Sequence, residues 1–248
     1  MRIFKTLLKM EFLLTKRQLT NLIMAIGMPV AFFLFFQDLW AEGLTKAIEA
    51  IYVRNYMITM AGFSSLSFAF FTFPFSMKDD QLSNRMQLLR HSPVPMWQYY
   101  LAKIIRILFY YCLAITVVFL TGHILRQVSM PIEQWMQSFL LLLGGATCFI
   151  PFGLLVSYFK NTELMSMVAN ICYMSLAVLG GMWMPITMFP KWLQGLSKLT
   201  PTYHLTQVIL SPFANSFAGF SLIILIGYGI IMLVIAYLLS QKRHSIEK

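Results

Sequence analysis

The stretch ILFYYCLAITVVFLTGHIL, residues 107–125, runs from Arg106 to Arg126 without one charged residue. A helix needs about 20 mainly apolar residues to cross a bilayer, and at that depth it satisfies its own backbone hydrogen bonds. The stretch therefore reads as a membrane-spanning helix. Five more charge-free windows of comparable or greater length accompany it: Gln18–Gln37, Asn55–Met77, Gln134–Phe159, Leu164–Pro190 and Leu199–Gln241. In the last, Pro201 and Pro212 confine the spanning helix to the later part, near Gly219–Ser240. The sequence predicts an all-α polytopic membrane protein with six transmembrane helices.

Composition points the same way. Hydrophobic residues make up 58%, charged residues 11%, and the mean hydropathy is +0.70. A soluble chain of 248 residues with that balance has too little polar surface to cover itself. Residues 1–248 read as a single transmembrane domain, because little lies beyond the spans and their connections. Cys112, Cys148 and Cys172 all fall inside spans and imply no disulfide framework.

The net charge of +10 orients the chain rather than recruiting nucleic acid. Of the 19 Lys and Arg, all but Lys46, Arg54, Arg126, Lys191 and Lys198 fall on one side of a six-span arrangement. The other side adds Asp38, Glu42, Glu49 and Glu133. The positive-inside rule places the richer side, with both chain ends, in the cytoplasm of a multi-pass cell-membrane protein. A nucleic-acid partner would need the charge gathered on one soluble face.

Residues 1–17 are too basic for a cleavable signal, since Lys16 and Arg17 follow the apolar positions. Ile3, Phe4, Leu7, Leu8, Met10 and Leu14 recur with a helical period, while Lys5, Lys9 and Lys16 face away. This predicts an interfacial amphipathic helix lying against membrane lipid. Gly27 and Pro29 are expected to kink the first span, and Gly144, Gly145 and Pro151 the fourth. Asn161 or Thr162 is expected to cap the fifth span after a tight hairpin. Ala177 and Gly181 form a small-xxx-small step.

Two connections carry more information than the spans. The cytoplasmic one, KDDQLSNRMQLLRHSPVP at residues 78–95, predicts a short helix over 78–93 capped by Asp79 or Asp80. Leu82, Met86 and Leu89 share one face, and Arg85 and Arg90 sit nearer its rim. That face needs an apolar surface, supplied by the chain's own helices, by lipid or by a partner. The outer connection, LGGMWMPITMFPKWLQGLSKLTPTYHLTQVIL at residues 179–210, is cut into short apolar pieces by Pro185, Pro190 and Pro201. Trp183, Trp192 and Tyr203 are placed to anchor at interfacial depth. Residues 185–212 are expected to form outer re-entrant helices.

These features together resemble the membrane permease of ABC transporters of the type-2 exporter class, and the resemblance covers essentially the whole chain. Gly181, Pro185, Pro190, Trp192, Leu193, Pro201 and Tyr203 match the family's outer re-entrant string, and Leu89, Pro93, Val94 and Lys103 its coupling helix and the start of its third span. Asn84–Arg85 departs from the Gly-Thr that family members often carry there. The resemblance implies coupling to an ATPase through Leu82, Arg85, Met86, Leu89 and Arg90. It implies an outer gate built on Pro185, Pro190, Trp192, Pro201 and Tyr203. It also implies a second permease, as homodimer or heterodimer, and ATP-binding subunits that hold the ATP and Mg. The chain is not expected to be an enzyme or to carry a cofactor, since it has no Gly-x-x-x-x-Gly-Lys-[Ser/Thr] phosphate cradle.

Other chemistries lack their signatures. His91, His123, His204 and His244 are dispersed, so no metal site is expected. Neither His-Glu-x-x-His nor Gly-x-Ser-x-Gly occurs. No Asp or Glu lies well inside a window, where an ion-coupled carrier normally keeps one. Walls rich in Phe and Met suit an amphipathic or hydrophobic cargo, such as a drug, an antimicrobial peptide or a lipid. Export of such a cargo, with antibiotic resistance among its outcomes, is the first reading. An ATP-independent carrier or channel and a non-transporting scaffold are the alternatives.

Overall fold

The computed structural model describes residues 2–14, 19–41, 43, 45–92, 94–214 and 218–246. Among them the regular structure is all helical. The helices are α1 (Arg2–Leu14), α2 (Leu19–Ala41), α3 (Lys46–Ser67), α4 (Phe73–Leu82), α5 (Arg85–Arg90) and α6 (Met96–Arg126). There follow α7 (Ile132–Thr147), α8 (Ile150–Val156), α9 (Thr162–Leu179), α10 (Lys191–Ser197), α11 (Pro201–Leu210) and α12 (Gly219–Ile246). Five stretches are long and apolar enough to cross a membrane: Lys46–Leu82, Met96–Arg126, Ile132–Val156, Thr162–Leu179 and Gly219–Gln241. The shorter apolar stretch Leu22–Asp38, inside α2, occupies the place of the first expected span.

The Lys46–Leu82 stretch is the axis of the bundle. In its most apolar window 89% is buried, against 17% for Gly219–Gln241, so the other helices wrap around it. Met57, Ile58, Met60, Phe63 and Leu66 are fully enclosed. Helices in lipid gain little from apolar contact alone and associate through close packing. The close approaches occur at glycine: a Cβ on Gly122 of α6 would run into the Met57 sulfur, and one on Gly145 of α7 into Leu205 of α11.

Proline sets the interruptions. Pro74 has no N–H to return to the carbonyl of Phe70, and the backbone just before it widens to a π turn at Phe68–Thr72 before resuming as α4. A Cβ on Gly153 of α8 would strike the carbonyl oxygen of Ala69 in this turn, so α8 seats directly on it. The expected break in the fourth span falls at Cys148–Phe149, between α7 and α8, with Pro151 in the first turn of α8. Gly229 of α12 lies against the backbone of Cys148 there. Pro29, by contrast, sits inside α2, which continues through it. Asn161 caps α9 as expected, its side chain accepting from the Glu163 N–H at 2.7 Å.

The N-terminal segment forms a helix whose apolar stripe is shared between protein and the outside. Its inward face, Leu7 and Glu11 with half-buried Phe12, packs on α6, and the Phe12 ring meets Phe109 and Tyr110 edge-on or tilted. Ile3, Met10 and Leu13 are exposed. The stripe assigned to lipid is therefore divided, and protein takes the face centred on Leu7. Residues 15–17 of that segment lie outside the described residues.

Candidate functional site

At the end of the bundle where α4 gives way to α5, five charged side chains converge from four helices. Glu11 comes from α1, Asp80 from α4, Arg85 from α5, and Lys103 and Arg106 from α6. Arg85 holds Asp80 at 2.9 Å with one guanidinium nitrogen and Glu11 at 3.1 Å with the other. Lys103 lies 2.7 Å from Asp80 and 3.4 Å from Glu11, and Arg106 lies 3.2 Å from Glu11. Ser76 accepts from both Lys103 (2.7 Å) and Arg106 (2.6 Å), and the Tyr99 hydroxyl donates to Asp80 at 2.6 Å. The Lys103 and Glu11 side chains are 0% and 1% exposed, so the centre of the cluster is shielded from solvent.

Two carboxylates meet three cations here. Such a cluster contributes little net stability over an apolar replacement, but removing one member strands buried charge. Its consequence is mechanical: α1, α4, α5 and α6 cannot move separately without breaking charge-assisted bonds. Nearby, Lys78 donates to the carbonyls of Phe159 (3.1 Å) and Lys160 (2.6 Å), tying α4 to the α8–α9 hairpin.

The local sequence produces this corner. Asp79 and Asp80 do not cap a short helix over 78–93, as expected from sequence; they lie in the last turn of α4, which runs unbroken to Leu82. The chain then turns at Asn84, in the left-handed region at φ 57°, and α5 begins at Arg85. Glycine adopts that conformation most readily and asparagine next. Asn84, where the family pattern often carries Gly, is thus compatible with the left-handed turn observed here.

The predicted coupling residues divide. Met86 is 5% exposed inside the chain's own core, and Leu89 packs half-buried against that core. Leu82 and Leu88 are the apolar side chains presented outward, at 68% and 71% exposure. Arg85 is not at a rim but inside the charged cluster. Arg90 closes α5, and its side chain lies outside the described residues, as does Pro93. Glu11, Lys103 and Arg106 were missed as a unit. The signal available was one acid within the apolar stripe of a basic segment, and two cations a helical turn apart at the start of a span.

At the opposite end, α9 stops in a glycine-capped turn. Gly181 takes φ 70°, with Gly181 N–H bonded to the Val178 carbonyl and Met182 N–H to that of Ala177. Gly181 therefore ends the helix and is not part of a packing step with Ala177. Pro185 precedes a 3-10 turn at Ile186–Met188, and Pro190 precedes α10. Thr200 caps α11 by accepting from the Tyr203 N–H, and Pro201 fills its first position. Thr202 and Thr206 donate to the carbonyls of Leu176 (2.7 Å) and Gly180 (2.9 Å), fastening α11 to the end of α9.

These pieces roof a cavity of about 450 Å³ lined by α3, α10, α11 and the turn after α9. Of the predicted gate residues, Pro185 and Tyr203 line it. Pro190 and Pro201 start helices, and Trp192 points outward at 72% exposure. A second cavity, about 260 Å³, lies between α2, the π turn, α4 and α9, walled by Met24, Met28, Phe71, Phe75 and Met174.

The sequence pattern of the family described as "ABC-2 family transporter protein" matches residues 44–238, which carry all of these elements except α1 and α2 and the end of α12. The chain belongs to the ABC-2 family of transporter proteins. A curated relative, "Putative transport permease YvfS" of Bacillus subtilis (strain 168), is 26% identical over 235 residues, covering 93% of this chain and 95% of its own length. As an ABC-2 permease, the protein is a membrane-spanning transport subunit. The charged cluster spans the boundary of the matched region, because Glu11 lies before it and its four partners within it.

Proposed function

We propose that this ABC-2 permease is the membrane subunit of an ATP-driven exporter, working as a pair with a second permease and with two ATP-binding subunits that hold the ATP and Mg. The observation that carries this reading is the α4–α5 corner. The short surface helix α5 is locked by buried ion pairs to α1 and α4, whose carboxylates are shared with Lys103 and Arg106 of α6, and the corner presents Leu82 of α4 and Leu88 of α5 outward. A push on α5 is passed to the central Lys46–Leu82 stretch through Arg85–Asp80, without a flexible loop between.

In this reading α2 is the first of six spans, and the corner and both chain ends face the cytoplasm, in keeping with the side that carries most Lys and Arg. Energy enters there and acts along the axis on the roof at the other end. The Met- and Phe-walled cavity beside the π turn offers repackable apolar surface for a hydrophobic or amphipathic cargo. Drugs, antimicrobial peptides and lipids share that chemistry.

Purification of the tagged permease from its native host tests the assembly, with an ATP-binding subunit expected at equal stoichiometry. Reconstituted vesicles should move a fluorescent amphipathic drug only with ATP and Mg, and block with vanadate. Flux without nucleotide would replace this reading with an ATP-independent carrier.

A further inference from the structure

The roofed cavity at the α9–α11 end carries chemistry that a simple lid does not need. Tyr52 and Tyr56, one turn apart on α3, stack with ring centroids 5.9 Å apart and both line it. Both hydroxyls are buried with no hydrogen-bond partner, and Tyr56 as a whole is 4% exposed. A buried polar group without a partner is costly, so the pair is a strained choice where phenylalanine would serve as packing. Asn55, between them, has its carbonyl oxygen occupied by Arg54 at 3.1 and 3.2 Å, which leaves its NH2 to present. Lys198 adds a cation, and no Asp or Glu is among the described residues that line the cavity. Met184, Ile186 and Leu210 give the walls an apolar part.

Donors and a cation on a partly apolar chamber, with no acid among its described lining, define the complement. We propose that this chamber binds the anionic, acceptor-rich head of an amphipathic ligand, with Tyr52, Tyr56 and Lys198 as its recognition groups. The ligand's apolar body lies along Met184 and Leu210. This deepens the exporter reading, on which it rests only for calling the ligand cargo, by naming the class of head group the roof receives. A phosphate or a carboxylate meets the requirement, because both offer several acceptors to two phenols and one ammonium.

The test uses the full-length permease in phosphatidylcholine nanodiscs, with bound amphiphile counted by native mass spectrometry. The probes are dodecyl phosphate, dodecanoate and dodecyltrimethylammonium, which share one chain and differ in head. At least one anionic probe is expected to be retained about tenfold better than the cationic one. Retention of dodecyl phosphate alone assigns a phosphate head, and retention of both anions assigns any anionic head. Tyr52→Phe, Tyr56→Phe and Lys198→Gln should each lower anion retention by about tenfold, the usual scale of a hydrogen bond to a charged group. The two phenylalanine variants remove unpartnered buried hydroxyls, so their thermal stability should hold or rise. Equal retention of the three probes, or anion retention unchanged in both tyrosine variants, would overturn the proposal. ATP-dependent flux is measured separately, so failure of the exporter reading leaves this result to stand or fall alone.

Discussion

Glu11 and Arg85, 74 positions apart in the chain, meet at 3.1 Å with the carboxylate side chain 1% exposed. The pair joins the N-terminal helix to the short surface helix, so α1 is part of the α4–α5 corner. Replacing Glu11 with Ala leaves Arg85 and Lys103 with Asp80 alone and removes the carboxylate that Arg106 meets. Breaking a buried pair from one side costs about 3–5 kcal/mol. Thermal unfolding of the purified protein should show a large fall in stability for Glu11→Ala. Ile3→Ser, on the exposed side of the same helix, should stay within about 0.5 kcal/mol. Equal effects would mean that α1 is held by apolar packing alone.

Asn84 supports a second prediction. At φ 57° a residue with a branched Cβ is strained by about 1–2 kcal/mol, whereas glycine is not. Asn84→Gly should keep stability and transport, and Asn84→Val should lose both in part, because α5 would leave its angle to α4. Stability measured alongside transport checks this: a Val variant as stable and active as the Gly variant would show that the turn is free to re-form.

Much of this fold was legible in the sequence, because charge exclusion from lipid is written residue by residue. The windows recovered the apolar helices, Pro151 marked the break between α7 and α8, and Asn161 marked a cap. The charged cluster was not legible in the same way. Lys103 and Arg106 counted as positive-inside charges, and only folding brings Glu11 and Asp80 against them. The face of α5 was misread for a related reason. Periodicity groups Leu82, Met86 and Leu89, but the turn at Asn84 separates Leu82 from the helix that holds the other two. The roof lay between these cases: its prolines located the short helices, while the two unpartnered phenols beneath it came from α3, far away in sequence.

The orientation proposed above predicts a labelling pattern. Once Cys112, Cys148 and Cys172 are replaced, single cysteines at the exposed positions Ser83 and Asn161 should react with a membrane-impermeant maleimide only in inverted vesicles. Cysteines at Thr45 and Ser129, also exposed, should react only in intact cells. Asn161 reacting from outside would break the six-span reading at its fourth crossing.

The last prediction separates docking from folding at α5. Leu82 and Leu88 are exposed, and Met86 is enclosed by the chain itself. If an ATP-binding subunit seats on this corner, burying each leucine contributes roughly 1.5–3 kcal/mol to assembly. Leu82→Ser and Leu88→Ser should then reduce recovery of the ATP-binding subunit in detergent while leaving the permease's thermal stability near its starting value. Met86→Ser should do the reverse in order, lowering stability first, because it puts a hydroxyl and a void into the packed core. Arg85→Ala belongs with Met86: its loss leaves Glu11 and Asp80 short of a buried partner, so destabilisation should precede any loss of assembly. Full recovery of the partner with the Leu82→Ser, Leu88→Ser double variant would show that these side chains face lipid and that docking lies elsewhere on this end.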